Sequence, residues 1–95
     1  MSAFLILDVD IHDQDKYKQY MKLVKPMVEA NGGKYHVRGG PFEVMDGSWQ
    51  PTRLVVIEYP DMASARAMYE SDDYAPLKAM RESCSTGHTV IVEGM

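Results

Sequence analysis

The sequence predicts an α+β domain in which a four-stranded antiparallel sheet carries its helices on one face, in the ferredoxin-like order β-α-β-β-α-β. Two observations support this prediction. Apolar residues alternate in some segments and recur at steps of three or four in others, which distinguishes strands from helices. Strands one, three and four also carry apolar residues on both faces. Because the helices can cover only one face, we expect a second copy of the sheet to cover the other.

The start of the chain predicts a strand followed by a helix. The segment AFLILDVD has apolar residues on both of its faces, which indicates a buried strand at 3–10. Helical spacing follows, with Asp13 as the expected N-cap and Asn31-Gly32 as the expected C-terminal stop. Pro26 lies inside this helix and removes one backbone donor, so a kink is expected near the last turns.

The middle of the chain predicts an antiparallel hairpin. Strand two covers 33–39, strand three covers 52–59, and a DG turn signal precedes strand three. We expect FEVMDG to continue strand two, so Gly39-Gly40-Pro41 is interpreted as a bulge or a bend within one long arm. It is not a phosphate loop, because no helix follows the glycines.

The remainder predicts two consecutive helices at 62–70 and 72–83 and a fourth strand at 88–93. Asp61 and Ser71 are the expected caps of the two helices. We therefore expect one domain over residues 1–95.

Composition excludes several classes of function. A net charge of −4 over 95 residues does not favour binding to nucleic acid or to an anionic membrane. The N-terminal apolar run is too short for a signal peptide or a membrane span, and the single cysteine allows no internal disulfide. We expect a cytoplasmic protein.

A chain of this length buries only about 60–65% of its unfolded surface, so dimerisation would stabilise it.

Strand two carries the candidate catalytic residues. Alternation places Lys34, His36 and Arg38 on one face of the strand. His36 could transfer a proton at neutral pH, and Arg38 could hold a carboxylate or an enolate through two hydrogen bonds. The alternative is that both residues form ion pairs with carboxylates at the seam of a dimer.

Candidate ligand-binding residues come from the neighbouring elements. Asp8 on strand one and Glu58 on strand three could lie near His36 and Arg38. Tyr17 and Tyr69 lie on helix faces turned towards the sheet, where they could line a cleft or simply pack in the core.

The tryptophan, the cysteine and the histidines suggest no cofactor. Trp49 is the only tryptophan and is the expected dimer-interface anchor, with a lid over the cleft as the alternative. The three histidines show no metal-ligand spacing, so no metal and no other cofactor is predicted. Cys84 is interpreted as structural.

Three segments carry a family resemblance: FLILDVDIHDQDKYKQY, GGKYHVRGGPFEVMDGSWQPTRLVVIEYPDMASARAMYESDDYAPL and TVIVEG. On these segments the chain resembles the dimeric α+β barrel superfamily and, within it, the small bacterial domain-of-unknown-function family numbered 1330. The resemblance implies a homodimer whose two sheets face each other. Superfamily relatives include cofactor-independent monooxygenases, haem-degrading enzymes, muconolactone isomerases and stress-response barrels. Their sites differ, so no catalytic role is transferred from them.

Three functions are compatible with these features. The first is binding or conversion of a small aromatic or carboxylated metabolite by cofactor-free acid/base chemistry. The second is a non-catalytic binding or structural dimer. The third is haem binding or monooxygenase-like activity; haem binding would need a histidine on a helix facing the cleft, and none of the three histidines falls inside a predicted helix.

Overall fold

A computed structural model describes residues 1–95 as one four-stranded sheet with three helices. The strands lie in the order β2-β3-β1-β4, and every neighbouring pair is antiparallel. This confirms the predicted ferredoxin-like α+β arrangement. The elements are β1 (Ala3–Ile11), α1 (Gln14–Ala30), β2 (Lys34–Arg38), β3 (Leu54–Tyr59), α2 (Met62–Tyr69), α3 (Ala75–Cys84) and β4 (Ser85–Glu93).

The hydrophobic core lies between the helices and one face of the sheet. Residues of β1 alternate between buried and half-buried, and Leu5, Leu7 and Val9 are the ones that point into the core. Their neighbours Phe4 and Ile6 lie on the opposite face, which no helix covers. This uncovered side is called the open face below.

Two of the three helices are capped by the residues expected from the sequence, Asp13 and Asp61. The expected cap at Ser71 is wrong, because α3 begins later and has Tyr74 as its N-cap, without a side-chain hydrogen bond. The side chain of Asp13 accepts a hydrogen bond from the backbone N–H of Lys16 at 3.1 Å, and Asp61 accepts one from Ser64 at 2.7 Å. α1 continues past Pro26 to Ala30, and its C-cap is Asn31, whose N–H still contacts carbonyl groups of the last turn. None of the three helices is long and apolar enough to cross a membrane.

The prediction that strand two continues into one long hairpin arm is wrong. β2 ends at Arg38, and 39–53 contains no strand, so FEVMDG does not continue β2. The chain turns away because Gly39 has a φ of +79°, after its N–H has donated the last ladder hydrogen bond to Leu54 at 2.8 Å. β4 begins at Ser85, three residues before the predicted start, and α3 begins at Ala75 rather than at 72.

The bulge lies inside β2 and not at Gly39-Gly40-Pro41. Tyr35 pairs with Ile57, but the next paired residue is Val37, opposite Val56, so His36 is the extra residue. An extra residue interrupts the alternation of side chains. The prediction that Lys34, His36 and Arg38 share one face is therefore wrong.

Gly33 provides a test of the packing between α1 and the sheet. A Cβ at this position would lie 2.5 Å from Cγ1 of Val28 and 3.1 Å from the Tyr59 ring. We expect Gly33→Ala to lower the free energy of unfolding by about 1–3 kcal/mol through overpacking. Gly40→Ala is the matched control, because a Cβ there meets no atom within 4 Å. Urea denaturation of both variants measures the difference, and equal stabilities would contradict this account.

Candidate functional site

A cavity lies between α1 and the helix-facing side of the sheet. The centres of water-sized molecules can occupy about 40 Å³ of it, and the walls consist of apolar and aromatic side chains with two arginines. α1 contributes Tyr17, Tyr20 and Met21, while the sheet contributes Tyr35, Val55, Ile57 and Tyr59. No carboxylate lines the cavity.

Arg38 and Arg53 are the two cations of the cavity wall. Arg38 places its guanidinium 4.6 Å from the centre of the Tyr35 ring and donates a hydrogen bond to the Met21 carbonyl at 2.9 Å. Arg53 lies 5.5 Å from the centre of the Tyr17 ring and donates to the Arg38 carbonyl at 3.4 Å. Neither arginine lies within 4 Å of a carboxylate oxygen.

Gly39 makes room for Arg53. A Cβ on Gly39 would lie 2.6 Å from Nε and 2.9 Å from Cζ of the Arg53 side chain. The same residue has the positive φ that turns the chain out of β2, a conformation that glycine adopts without steric cost. One glycine therefore both ends the strand and allows the second guanidinium to reach the cavity.

A hydrogen-bonded group of tyrosines and one arginine also contributes to the cavity wall. The hydroxyls of Tyr20 and Tyr74 are 2.8 Å apart, and both residues line the cavity. Arg81 donates from one terminal nitrogen to the Tyr74 hydroxyl and from the other to the Tyr69 hydroxyl, each at 3.1 Å. Arg81 is only 7% exposed.

The protonation of the tyrosines follows from this environment. Burial raises the pKa of Tyr20 and of Tyr74, and it raises the pKa of Tyr59 to about 12. These hydroxyls therefore keep their protons at neutral pH. Burial acts in the same direction on Tyr69, but the hydrogen bond from Arg81 outweighs it, and the pKa of Tyr69 is lowered.

His36 and Glu58 lie on the open face. Nε2 of His36 is 2.7 Å from a carboxylate oxygen of Glu58, and the Ser2 hydroxyl donates to the other oxygen at 2.7 Å. These hydrogen bonds, from Ser2 first and then from His36, lower the pKa of Glu58. The Phe4 ring packs edge-on against His36 at 6.0 Å between centroids.

Asp8 also lies on the open face, where it holds the segment between β2 and β3. Its carboxylate accepts hydrogen bonds from the Trp49 indole N–H at 3.0 Å and from the Thr52 backbone N–H at 2.9 Å. Burial acts to raise the pKa of Asp8, but these hydrogen bonds outweigh it, so the pKa is lowered.

The structure thus divides the residues singled out in the sequence between two faces. Arg38 and Tyr17 line the cavity, and Tyr69 is joined to its wall through Arg81. His36, Glu58 and Asp8 lie on the opposite side of the sheet, so His36 and Arg38 do not meet in one site. No group of three or more His, Cys, Asp or Glu side chains is arranged to hold a metal ion.

Two arginines of the site had no role in the sequence interpretation. Arg81 lies within the last predicted helix at helical spacing from apolar residues, and Arg53 lies within a segment that carries the family resemblance. A signal for Arg81 was present, because an arginine at a position of a buried helical stripe needs a polar partner. No sequence signal for Arg53 was available, since its reach depends on the conformation of Gly39.

The fold and the cavity define a ferredoxin-like α+β protein, and comparison with known families agrees with this description. The chain belongs to the family described as Domain of unknown function (DUF1330), which matches residues 2–95. A comparison with curated proteins finds no match.

Solved structures share the fold at low sequence identity. RPA0582, a protein of unknown function from Rhodopseudomonas palustris, is 20% identical with a TM-score of 0.76, covering 99% of this chain and 82% of its own. SnoaB, a cofactor-independent oxygenase from Streptomyces nogalater, is 10% identical with a TM-score of 0.72, covering 99% and 93%. A structure of an antibiotic biosynthesis monooxygenase is 15% identical with a TM-score of 0.55, covering 100% and 99%. These likenesses confirm the ferredoxin-like α+β fold of the single chain.

The lowered pKa of Asp8 predicts how stability depends on pH. A carboxyl group whose pKa is lower in the folded chain than in the unfolded chain stabilises the folded chain at a pH above the unfolded pKa, which is near 3.8 for Asp8. This stabilisation is lost as the pH falls through the pKa of the folded chain. We expect Asp8→Asn to lose about 1 kcal/mol of unfolding free energy at neutral pH, and progressively less as pH falls below 4.

Denaturation followed by Trp49 fluorescence over this pH range measures the effect. Asp10→Asn, at an exposed position two residues further along β1, is the control. A difference between wild type and Asp8→Asn that does not change with pH would contradict the assignment.

Proposed function

We propose that the protein binds a small carboxylic acid with a short apolar body in the cavity between α1 and the sheet. The observation that carries the proposal is the pair of arginines, Arg38 and Arg53, which have no carboxylate partner in an otherwise apolar and aromatic wall. Arg38 keeps the anion-holding role expected from the sequence, and Arg53 joins it.

The chemistry of the guanidinium group supports this assignment. Arginine presents a planar set of N–H donors that matches a carboxylate, and the match is worth most where water is excluded. Arg38 and Arg53 each use one terminal nitrogen on a backbone carbonyl, which orients the group while leaving other N–H donors for a ligand. Small-molecule sites commonly combine apolar walls with a few such polar groups.

The size of the cavity favours an aliphatic over an aromatic ligand. A volume of 40 Å³ accommodates about two or three waters or a chain of three or four heavy atoms. A buried cavity that binds benzene has a volume of about 150 Å³. The volume is smaller than an aromatic ring requires, whereas a short alkyl chain fits with its carboxylate at the arginines.

Catalysis by His36 is not part of the proposal, because His36 contacts Glu58 on the other face of the sheet. The proton-carrying groups at the cavity are tyrosine hydroxyls. The likeness of the fold to a cofactor-independent oxygenase leaves conversion of the bound acid as a second possibility, and binding is the function that the geometry supports directly.

We also propose that the protein forms a homodimer through the open face. Val90 and Val92 of β4 are 58% and 48% exposed, and Phe4 and Ile6 lie beside them with no helix above. An apolar sheet face of this kind is typical of an interface. Trp49 is 61% exposed and is tied to Asp8 on the same side, which supports its role as an interface anchor.

Binding of pentanoate tests the ligand proposal. We expect Arg38→Met to raise the dissociation constant about tenfold, because a charged hydrogen-bond donor to the carboxylate is lost while the apolar stem remains. Arg66→Met removes the same charge from an exposed position on α2 and should leave the constant unchanged. Ligand-observed NMR titration measures both, and absence of pentanoate binding to the wild type would exclude the proposal.

Substitution on β4 tests the dimer. We expect Val90→Asp to shift the protein from dimer to monomer, since a charge would be buried between two apolar sheets. Leu23→Asp, at an exposed position on α1, is the matched control and should remain dimeric. Analytical ultracentrifugation over a range of concentrations reports the state, with circular dichroism to verify folding. A monomeric wild type would refute the dimer.

A further inference from the structure

We propose that the ligand is an oxo acid, with a carbonyl oxygen at the end that enters the cavity. The Tyr20–Tyr74 pair, polarised by Arg81, would donate a hydrogen bond to this oxygen, while the carboxylate lies at Arg38 and Arg53. The inference rests on the proposed function and specifies its ligand class.

Counting hydroxyl hydrogens carries the argument. Tyr20 and Tyr74 have one hydroxyl hydrogen each, and their mutual hydrogen bond at 2.8 Å uses only one of the two. The remaining contact is from Arg81, which donates to Tyr74 and therefore accepts nothing. Neither hydroxyl has another acceptor in the chain. One phenolic hydrogen of the pair is therefore without a protein acceptor, whichever tyrosine carries it.

The position of this hydrogen makes it available to a ligand. Tyr20 and Tyr74 are 6% and 3% exposed, so bulk water does not surround them, yet both line the cavity. A buried donor without an acceptor is costly, and an oxygen atom entering the cavity relieves that cost. Tyr59 also lines the cavity, but its hydroxyl already donates a hydrogen bond to the sulfur of Met68 at 3.5 Å.

Arg81 strengthens the donor without touching the ligand. Its guanidinium is buried and has hydroxyl partners but no carboxylate. A hydrogen bond accepted by Tyr74 from a cation makes the hydroxyl of Tyr74 a stronger donor, and the effect passes on to Tyr20. Arg81 is therefore a positioning residue for the tyrosine pair.

A purely structural network is the alternative, in which Arg81 and the tyrosines only tie α3 to α1. A contact that only holds α3 against α1 does not require a buried cation without an anion, and it does not require an unpaired hydroxyl hydrogen in a cavity wall. Apolar residues often replace buried charges without loss of stability. Both features instead match a ligand that brings electron-rich oxygen atoms. Arg38, Arg53, Tyr20 and Tyr74 all line the cavity, whose volume fits an acetyl-sized group. A short oxo acid offers its carboxylate to the arginines and its carbonyl oxygen to the tyrosine pair.

Comparison of 4-oxopentanoate with pentanoate tests the inference on the wild-type protein. The two acids have the same chain length and carboxylate, and they differ in the carbonyl group. We expect the wild type to bind 4-oxopentanoate about tenfold more tightly, since only this acid accepts the free hydrogen.

Variants then assign the preference to its residues. Either tyrosine alone could supply the hydrogen, so the double variant Tyr20→Phe/Tyr74→Phe should bring the ratio of the two dissociation constants to one or below while pentanoate still binds. Arg81→Met should reduce the ratio several-fold, and Arg81→Lys should restore part of it. Tyr59→Phe is the control, because it removes a tyrosine hydroxyl from the same cavity wall. It should leave the ratio of the two dissociation constants as in the wild type.

The outcomes separate this inference from the proposed function. If neither acid binds the wild type, both proposals fail. If both bind with equal constants, the carboxylate site stands and the oxo-acid inference is overturned. A preference that survives the double variant also overturns it. Should the double variant fail to fold, Tyr74→Phe alone disconnects Arg81 and should lower the ratio, and an unchanged ratio would reject the inference.

Discussion

Helices cover only one face of the sheet, and the rest of the structure depends on this constraint. Every side chain of the strands must lie either against the helices or on the open face, and the two sides differ in charge. Arg38 and Arg53 lie on the helix side, whereas Asp8 and Glu58 lie on the open face. This division keeps the acids of the sheet away from the arginines of the cavity.

The separation of charge has an energetic consequence for the helix side. A guanidinium that is removed from water without a counter-ion destabilises the folded chain unless it stacks on aromatic rings or donates hydrogen bonds. Arg38 and Arg53 do both, through Tyr35, Tyr17 and backbone carbonyls. The aromatic content of the cavity wall therefore serves the charges as well as the core, and the chain itself supplies neither arginine with a carboxylate partner.

The order of strands and helices was predictable because the spacing of apolar residues reflects which side of each element is buried. The caps at Asp13 and Asp61 were predictable because a capping hydrogen bond joins residues that are close in sequence. The site was only partly predictable. Alternation assumes regular pairing, and no local signal reveals an extra residue at His36, which depends on the register with β3. Arg38 was assigned to the site from its residue type, but its face could not be deduced from the sequence.

The bulge in β2 has a further consequence, because β2 lies at the edge of the sheet. An edge strand with unpaired backbone groups can add strands from other molecules, which leads to open-ended aggregation. A five-residue strand with an extra residue in its middle offers no regular row of donors and acceptors to such a partner. Growth of the sheet in its own plane is thereby discouraged at this edge, whereas β4, a nine-residue strand at the opposite edge, carries no such interruption.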